Sequence, residues 1–524
     1  MLDLGRSLIA SVARMPNALA LVDGDVRLSY EAWFSQISAL VAGLSDMGLT
    51  RGDRILVAMQ NNRAAASLHW ACQMAGVITV PVNWRSTADE IGFFIENSAA
   101  RALVFDKSSA EAIAEAPQAV SLPRITYGTS AEGALDYDEI VAASAPDASP
   151  QAGADDWSIM LYTSGTTARP KGVPRRHRTE RASTVAHIAQ NLMPMRDATL
   201  GVMPLYHTMG VRSLLAMTLL NGTFVCLPRF NSAVALRLIA EERIGSLYLV
   251  PTLYHDLLDH PDFAQTDLSS VKRLGFAGAS MTDGLLQRVD RAFRPELFVN
   301  HFGSSEIYTF SIEQNAVAKP GSAGKAALNQ DLRIVEMGSG DPEAVVKRGS
   351  EGEIIATLAG DEAFEGYFQN PAANAKALKD GWYFTGDCGH FDEDGDLFVT
   401  GRVDDMIITG GENVSPLEVE SCLSMHEAVA ECAVVGLPDE RWGKIVVAFV
   451  KKRGEVTEED LADYCRTTTL ANYKRPKKFV FVTELPKSPV GKLLRRDLVS
   501  GNYTPNTAAA QAALKEKTHD RSAI

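Results

Sequence analysis

The sequence predicts an α/β protein: a large N-terminal domain of doubly wound α/β subdomains with a small β subdomain, followed by a smaller α+β C-terminal domain. Three observations carry this. Short β-rich runs alternate with helical periodicity as far as Gly303, the texture changes to β runs and turns between about 320 and 400, and a compact mix of helices and strands follows "GRVDDMIITGGENVSP". At 524 residues the chain is too long for a single hydrophobic core.

In chain order, "YEAWFSQISALVAGLSDMG" spaces its apolar residues as a helix, and "DRILVAMQN" and "VITVPVN" are short strands. The alternation returns in "TLGVMPL", "GTFVCLP", "IGSLYLVP", "VKRLGFAGA" and "ELFVNHFG". A largely parallel sheet results, and such sheets bind ligands beyond the carboxyl ends of their strands. "GEIIATLAG", "DGWYFTGD" and "GDLFVTG" predict the small antiparallel subdomain. The C-terminal portion reads as helix 416–426, strands 428–436 and 444–452, helix 457–469 and strand 478–483. The best cut falls between Val403 and Asp404, giving domains 1–403 and 404–524, with a loosely tied tail from Asn502 and no internal repeats.

Composition narrows the function. With 46% hydrophobic and 22% charged residues the chain is an ordinary globular one. A formal charge of −14 repels phosphate backbones and anionic headgroups, so neither nucleic acid nor a membrane surface is the expected partner. The six cysteines are scattered without a C-x-x-C pair, which suggests reduced thiols rather than a disulfide framework or a zinc site. The apolar stretch between Arg6 and Arg14 is too short for a signal peptide, and a cytoplasmic location is expected.

One loop asks for a ligand. In "IMLYTSGTTARPKGV" a hydrophobic run ends in Thr163, Ser164, Gly165, Thr166 and Thr167, and Lys171 follows. Hydroxyls, freed backbone N–H groups and an ammonium make a nest for phosphate. The spacing is not that of a Walker loop, because the glycine follows Lys171 instead of preceding it. Other candidates stand at strand ends and turns: His207 in "VMPLYHTMG", Glu306 in "NHFGSSEIYT", Asp387 in "WYFTGD" and Lys492 in "SPVGKLLRR". Singly, each has a plain reading as a turn residue, a helix-start charge or an Asx turn.

Taken in order, the loop 162–173, "LYH", "FGSSE", "YFTGD", "GRVDDMIITGGENVSPLEVE" and "PKSPVGKLLRR" resemble the signature motifs of the adenylate-forming superfamily, which holds acyl- and aryl-CoA synthetases, luciferases and nonribosomal peptide adenylation domains. "MPLYH", "FAGASM", "RWG" and "YKRPKK" are most similar to 4-chlorobenzoate-type aryl-CoA ligases. The resemblance implies ATP, Mg²⁺ and coenzyme A as cosubstrates and cofactor, and a small carboxylic acid as substrate. It implies that Thr163–Lys171 wraps the β- and γ-phosphates, Phe302, Gly303, Ser304 and Ser305 line the nucleotide, and Glu306 holds the metal. Asp387 and Arg402 would grip the ribose. Lys492 would bridge carboxylate and α-phosphate, and Asp404 would be the hinge of a mobile C-terminal domain. Alanine stands at 168 where the family loop usually has glycine, and "YGxTE" reads Phe302 to Glu306 with serine for threonine, so altered rates rather than a dead enzyme are expected. "PKSPVGK" also resembles an acetylation site, which makes a lysine acetyltransferase and deacetylase acting on Lys492 expected partners.

For the acid, the resemblance places His207, Thr208, Met209, Tyr248, Ala279, His301, Gly303, Tyr308 and Thr309 around the pocket. Tyrosines, imidazoles and a methionine make a short, flat, semi-polar cavity suited to an aryl or alicyclic carboxylate. No arginine or lysine is in that set to pair a second carboxylate. For the acceptor, Trp442, Tyr473, Arg475 and Lys477 suit adenine and the 3′-phosphate of coenzyme A, and Gly410 and Gly411 would let the pantetheine arm pass. A short- or medium-chain fatty acyl-CoA synthetase and a luciferase-like oxygenase are the rival readings, and a homodimer remains open.

Overall fold

A computed structural model describes residues 2–163, 169–403, 405–410, 412–487 and 493–506. Ser164, Gly165, Thr166 and Thr167 of the hydroxyl loop, the hinge candidate Asp404, Gly411 and Lys492 lie outside the described residues.

Two sheets organise the N-terminal part. The smaller has seven strands, in the order Leu135–Asp136, Arg124–Tyr127, Ala102–Asp106, Arg54–Ala58, Ile78–Pro81, Trp157–Thr163 and Lys171–Arg176. It is parallel except for its last pair, where Thr163 lies opposite Lys171. The larger sheet has a parallel centre running through Thr223–Cys226, Ala198–Gly201, Ser246–Leu249, Arg273–Phe276 and Leu297–Phe302. Between the sheets pack the helices Leu4–Arg14, Tyr30–Asp46, Arg63–Ala75 and Thr208–Leu219. The helix Tyr30–Asp46 shows why the sequence period read correctly: Trp33, Ile37, Leu40, Val41 and Leu44 recur on one buried face. The indole of Trp33, buried to 1% exposure, keeps a partner by donating to Ser67 Oγ at 2.8 Å.

The antiparallel piece is not a separate sheet. Ser311–Glu313 pairs with Leu297–Phe302 on one side and with Ser322–Ala326 on the other, so the strands up to Leu397–Arg402 extend the parallel sheet into one 14-stranded surface. The sequence shows the change of period at this point but not that the edge strand there is paired. Beyond Arg402 comes the smaller α+β unit. A hairpin, Ile407–Thr409 with Glu412–Val414, leads into the helix Pro416–Ser424 and a three-stranded sheet of Val429–Asp439, Gly443–Lys452 and Lys478–Val482. The first strand runs to Asp439, past the expected 436, because the hairpin stays paired to Gly443. After Asn502 the described residues are tied back, Asn506 N–H donating to Phe481 O at 2.8 Å and the Tyr503 ring packing on Phe449 at 4.8 Å, and the Ala-rich stretch 507–524 on which the expected loose tail rests lies outside the described residues. No helix among the described residues is long and apolar enough to cross a membrane.

Candidate active site

Four neighbouring parallel strands deliver the site. Ala198–Gly201, Ser246–Leu249, Arg273–Phe276 and Leu297–Phe302 lie side by side, and beyond or at their carboxyl ends stand His207, Tyr248, Ala279 and His301. His207 caps the helix Thr208–Leu219, is half-buried, and has its ring 5.4 Å from that of Tyr206. Thr208 is half-buried in the first turn, and Met209 packs with Tyr248 in the buried core.

Past the last of these strands the chain turns sharply. A Cβ at Gly303 would meet Tyr308 O at 2.1 Å, so only glycine fits the turn. Ser304 Oγ is committed to the same turn, accepting from the N–H groups of Glu306 and Ile307. Phe302 rests against Phe310, at 5.1 Å between rings. Glu306 therefore stands in a turn rather than at a helix start, and its carboxylate is 5% exposed. The Tyr367 hydroxyl donates to Glu306 Oε1 at 2.7 Å, and Tyr383 O–H lies 3.4 Å from that of Tyr367. Among the described residues nothing donates to the other oxygen of Glu306, which is a fitting ligand for a hard divalent cation such as Mg²⁺.

The nucleotide candidates converge here. Lys171 Nζ lies 4.1 Å from the centre of the Tyr367 ring. Burial pushes the Lys171 ammonium below its ordinary pKa; Glu306 pulls it back up, while Arg402 and Lys376 push it down further. Asp387 is not in a turn, as the sequence suggests, but within the strand Trp382–Phe391, directly opposite Arg402, with Asp387 Oδ1 3.2 Å from Arg402 Nη1. An anionic ligand here would meet Lys171 and Arg402, with Glu306 and Asp387 left to a metal and to hydroxyl groups.

Several members of this site are not evident in the sequence. Arg175 and Glu180 form a fully buried ion pair, and Arg175 also donates to the carbonyls of Ser305, Glu306 and Glu362. The guanidinium lies 3.7 Å from the Tyr308 ring centre, and Tyr308 O–H donates to Glu180 Oε2 at 3.0 Å. Tyr308 thus spends its polar end on this network, which clamps the backbone on both sides of Glu306. An arginine also stands among the residues expected around the acid. Arg212, on the helix Thr208–Leu219 and 1% exposed, donates to Thr309 Oγ1 at 2.6 Å, Tyr248 O–H at 3.2 Å and Tyr308 O at 3.2 Å. The signal was in "TMGVRSLLAMTLL": a single charge in an otherwise apolar helix has to be buried with partners.

The rings of His187, Tyr248 and His301 complete this wall, with centroids 5.0 to 5.3 Å apart. Burial pushes both imidazoles well below their ordinary pKa, and the Arg212 charge adds to it, so both are neutral.

The coenzyme A candidates share one end of the C-terminal sheet. Gly443–Lys452 runs parallel to Lys478–Val482 with Val447 opposite Lys478, which brings Trp442 and the segment Tyr473–Lys477 to the same edge. Trp442 and Tyr473 are exposed. Gly410 has φ +59°, and a Cβ there would lie 2.8 Å from the Trp442 ring, so the indole rests on bare backbone. Arg475 donates Nε–H to Leu470 O at 2.9 Å, and the half-buried neighbour Lys474 is held by Glu418. Elsewhere, the carboxylates of Asp392, Asp394 and Asp396 lie close enough to hold a cation, and the ammonium of Lys319 already bridges all three.

Known proteins resemble the chain along most of its length. The family model described as AMP-binding enzyme matches residues 8–368, and that of the AMP-binding enzyme C-terminal domain matches 418–492. A long-chain-fatty-acid–CoA ligase of Mycobacterium tuberculosis is 31% identical over 90% of this chain and 92% of its own. A 4-chlorobenzoate–CoA ligase of Arthrobacter is 32% identical over 93% of each. Among solved structures, the o-succinylbenzoate CoA synthetase of Bacillus subtilis in complex with its acyl-adenylate intermediate has a TM-score of 0.80 at 28% identity, covering 94% of this chain and 97% of its own.

Proposed function

Because the chain belongs to the AMP-binding enzyme family and is an acid–thiol ligase, we propose that it joins an aryl or alicyclic ring carboxylate to coenzyme A through an acyl adenylate. A carboxylate oxygen attacks the α-phosphorus of ATP and pyrophosphate leaves. The thiolate of coenzyme A then attacks the acyl carbon and AMP leaves, the thiol proton passing to solvent. The first step brings two anions together, so the site must offer positive charge where the transition state concentrates its own.

Lys171 and the loop from Thr163 hold the pyrophosphate end, Glu306 holds Mg²⁺, Asp387 and Arg402 hold the ribose, and Lys492 joins carboxylate to α-phosphate. His207 orients the acid. Gly410, Gly411, Trp442, Tyr473, Arg475 and Lys477 receive coenzyme A.

The ring preference is supported by one observation above all: the rings of Tyr248 and His301 on the strands, and of His187 on the helix His177–Gln190, cluster with centroids 5.0 to 5.3 Å apart. Flat faces bind a ring well and leave gaps around a bent alkyl chain. A buried guanidinium at Arg212 also opposes a long apolar tail. The test is AMP release with ATP, Mg²⁺ and coenzyme A across benzoates, cyclohexane carboxylates and straight-chain acids from four to sixteen carbons. Ring acids are expected to have the higher kcat/KM. A straight-chain acid leading the series would establish the fatty acyl reading, and oxygen uptake with an adenylated acid would establish the oxygenase.

A further inference from the structure

Asn191, 7% exposed, stands between the two pocket imidazoles and fixes the hydrogen on each. Its Nδ2, which can only donate, lies 3.0 Å from His187 Nδ1, and its Oδ1, which can only accept, lies 3.1 Å from His301 Nε2. His301 therefore carries its hydrogen on Nε2. Its Nδ1 is a bare lone pair, buried and without a partner among the described residues. The neighbouring Arg212 uses both terminal nitrogens on Thr309, Tyr248 and Tyr308, while its Nε–H, also buried, has no partner among the described residues. Both side chains flank Tyr248: Arg212 Nη2 is 3.2 Å from its hydroxyl, and the His301 ring is 5.0 Å from its ring.

A buried donor and a buried acceptor left unpaired are costly, and a bound ligand or an ordered water completes such a pair. One small group satisfies both at once, a hydroxyl, which accepts from N–H and donates to a lone pair. A second carboxylate would accept from Arg212 but would place its charge against the lone pair of a neutral imidazole.

We propose that the acid bears a hydroxyl on the part of the molecule remote from its carboxylate, and that Arg212 Nε and His301 Nδ1 receive it. This rests on the pocket assignment and refines the ring-acid reading. Arg212 and His301 are specificity residues by this account, touching the substrate away from the reacting atoms.

Pyrophosphate exchange on the wild-type enzyme tests it, with benzoate, its three monohydroxy isomers, 4-methoxybenzoate, terephthalate, cyclohexanecarboxylate, 4-hydroxycyclohexanecarboxylate, hexanoate and 6-hydroxyhexanoate. At least one hydroxy acid should exceed its unsubstituted parent by about 10–100-fold in kcat/KM, the methoxy ether, which only accepts, and terephthalate both falling behind. Parents within about threefold of every hydroxy acid, or terephthalate in the lead, would overturn the proposal. If 6-hydroxyhexanoate outranked every ring acid, the ring reading would fail and the hydroxyl seat would stand. If ring acids led without regard to hydroxylation, the reverse would hold. Arg212→Met should bring the hydroxy-to-parent ratio down to within about threefold, with the melting temperature measured alongside. A ratio unchanged in a folded variant would also overturn it.

Discussion

The phenol of Tyr367 donates to Glu306 Oε1 at 2.7 Å, and this single bond orients the carboxylate proposed to hold Mg²⁺. Burial raises the Tyr367 pKa and the nearby Glu306 charge raises it further, so the hydroxyl keeps its hydrogen at any working pH. A ligating carboxylate held by an outer hydrogen bond presents its free oxygen in one direction.

Tyr367→Phe removes that bond and the longer contact with the Tyr383 hydroxyl, while the ring remains under Lys171. A hydrogen bond to a charged group contributes about 1.5–3 kcal/mol, so pyrophosphate exchange should fall about 10–100-fold. The loss should appear in the KM for Mg²⁺-ATP and respond to added Mg²⁺, with the KM for the acid unmoved. Equal movement of both constants would make Tyr367 a packing residue.

The buried histidines set an acid limb on stability. Burial pushes His69 down to about 3, with the His177 charge adding to it, and pushes His177 itself down to about 4. A group whose folded pKa lies below its unfolded value near 6.5 binds more protons when unfolded; its contribution is complete above pH 6.5 and is lost as pH falls below it. Each such imidazole should cost about 1.4 kcal/mol of unfolding free energy per pH unit in that window. Urea denaturation of wild type and His69→Gln at pH 8, 6.5 and 5.5 checks this. The two curves should converge by about 1 kcal/mol between pH 6.5 and 5.5, since the unfolded imidazole is half protonated at the start of that interval, and parallel curves would mean that His69 titrates normally when folded.

What the sequence revealed and what it hid differ in kind. Lys171, Glu306, Asp387 and Arg402 stand in short motifs whose residue types state their chemistry, and the fold gathers them around Tyr367 and Tyr383. Those two tyrosines, in "GYFQN" and "GWYFTG", read as ordinary core aromatics, because their hydroxyls acquire meaning only against a carboxylate brought from a turn about sixty to eighty residues earlier in the chain. Arg212 was hidden for the same reason: its partners Tyr248 and Thr309 lie 36 and 97 residues away. Asn191 and His187 sit on one helix end four residues apart, and their importance arises only from His301, 110 residues on from Asn191. Periodicity locates elements, and it carries no information on which buried polar groups meet.

Lys492 lies in a segment outside the described residues, so its role is a matter for the half-reactions. Only adenylation brings two anions together, and Lys492→Ala should abolish it while thioester formation from a supplied acyl adenylate stays nearly intact. Acetylation removes the same charge and should have the same selective effect. A variant equally slow in both half-reactions would show that this ammonium is needed for more than charge pairing.

One site must serve both steps, and the structure limits how. Among the described residues the polar contacts between the smaller unit and the larger include Ser415 Oγ donating to Thr400 O, and the N–H groups of Asp283 and Gly284, each 3.4 Å from the hydroxyl oxygens of Ser421 and Ser424. Contacts of this kind are weak enough to exchange, as a turning domain requires. Lys492 and Gly410 both belong to the C-terminal part of the chain, and on the proposed mechanism each serves the same carbon in a different step, so we place the pivot at Asp404. Proline there would hold φ at about −65° and remove one N–H without touching a ligand. Asp404→Pro should keep pyrophosphate exchange and lose most thioester formation, with acyl adenylate accumulating on the enzyme in a quench measurement. Loss of both steps together, or of neither, would mean that the pivot lies elsewhere or that the two units do not turn.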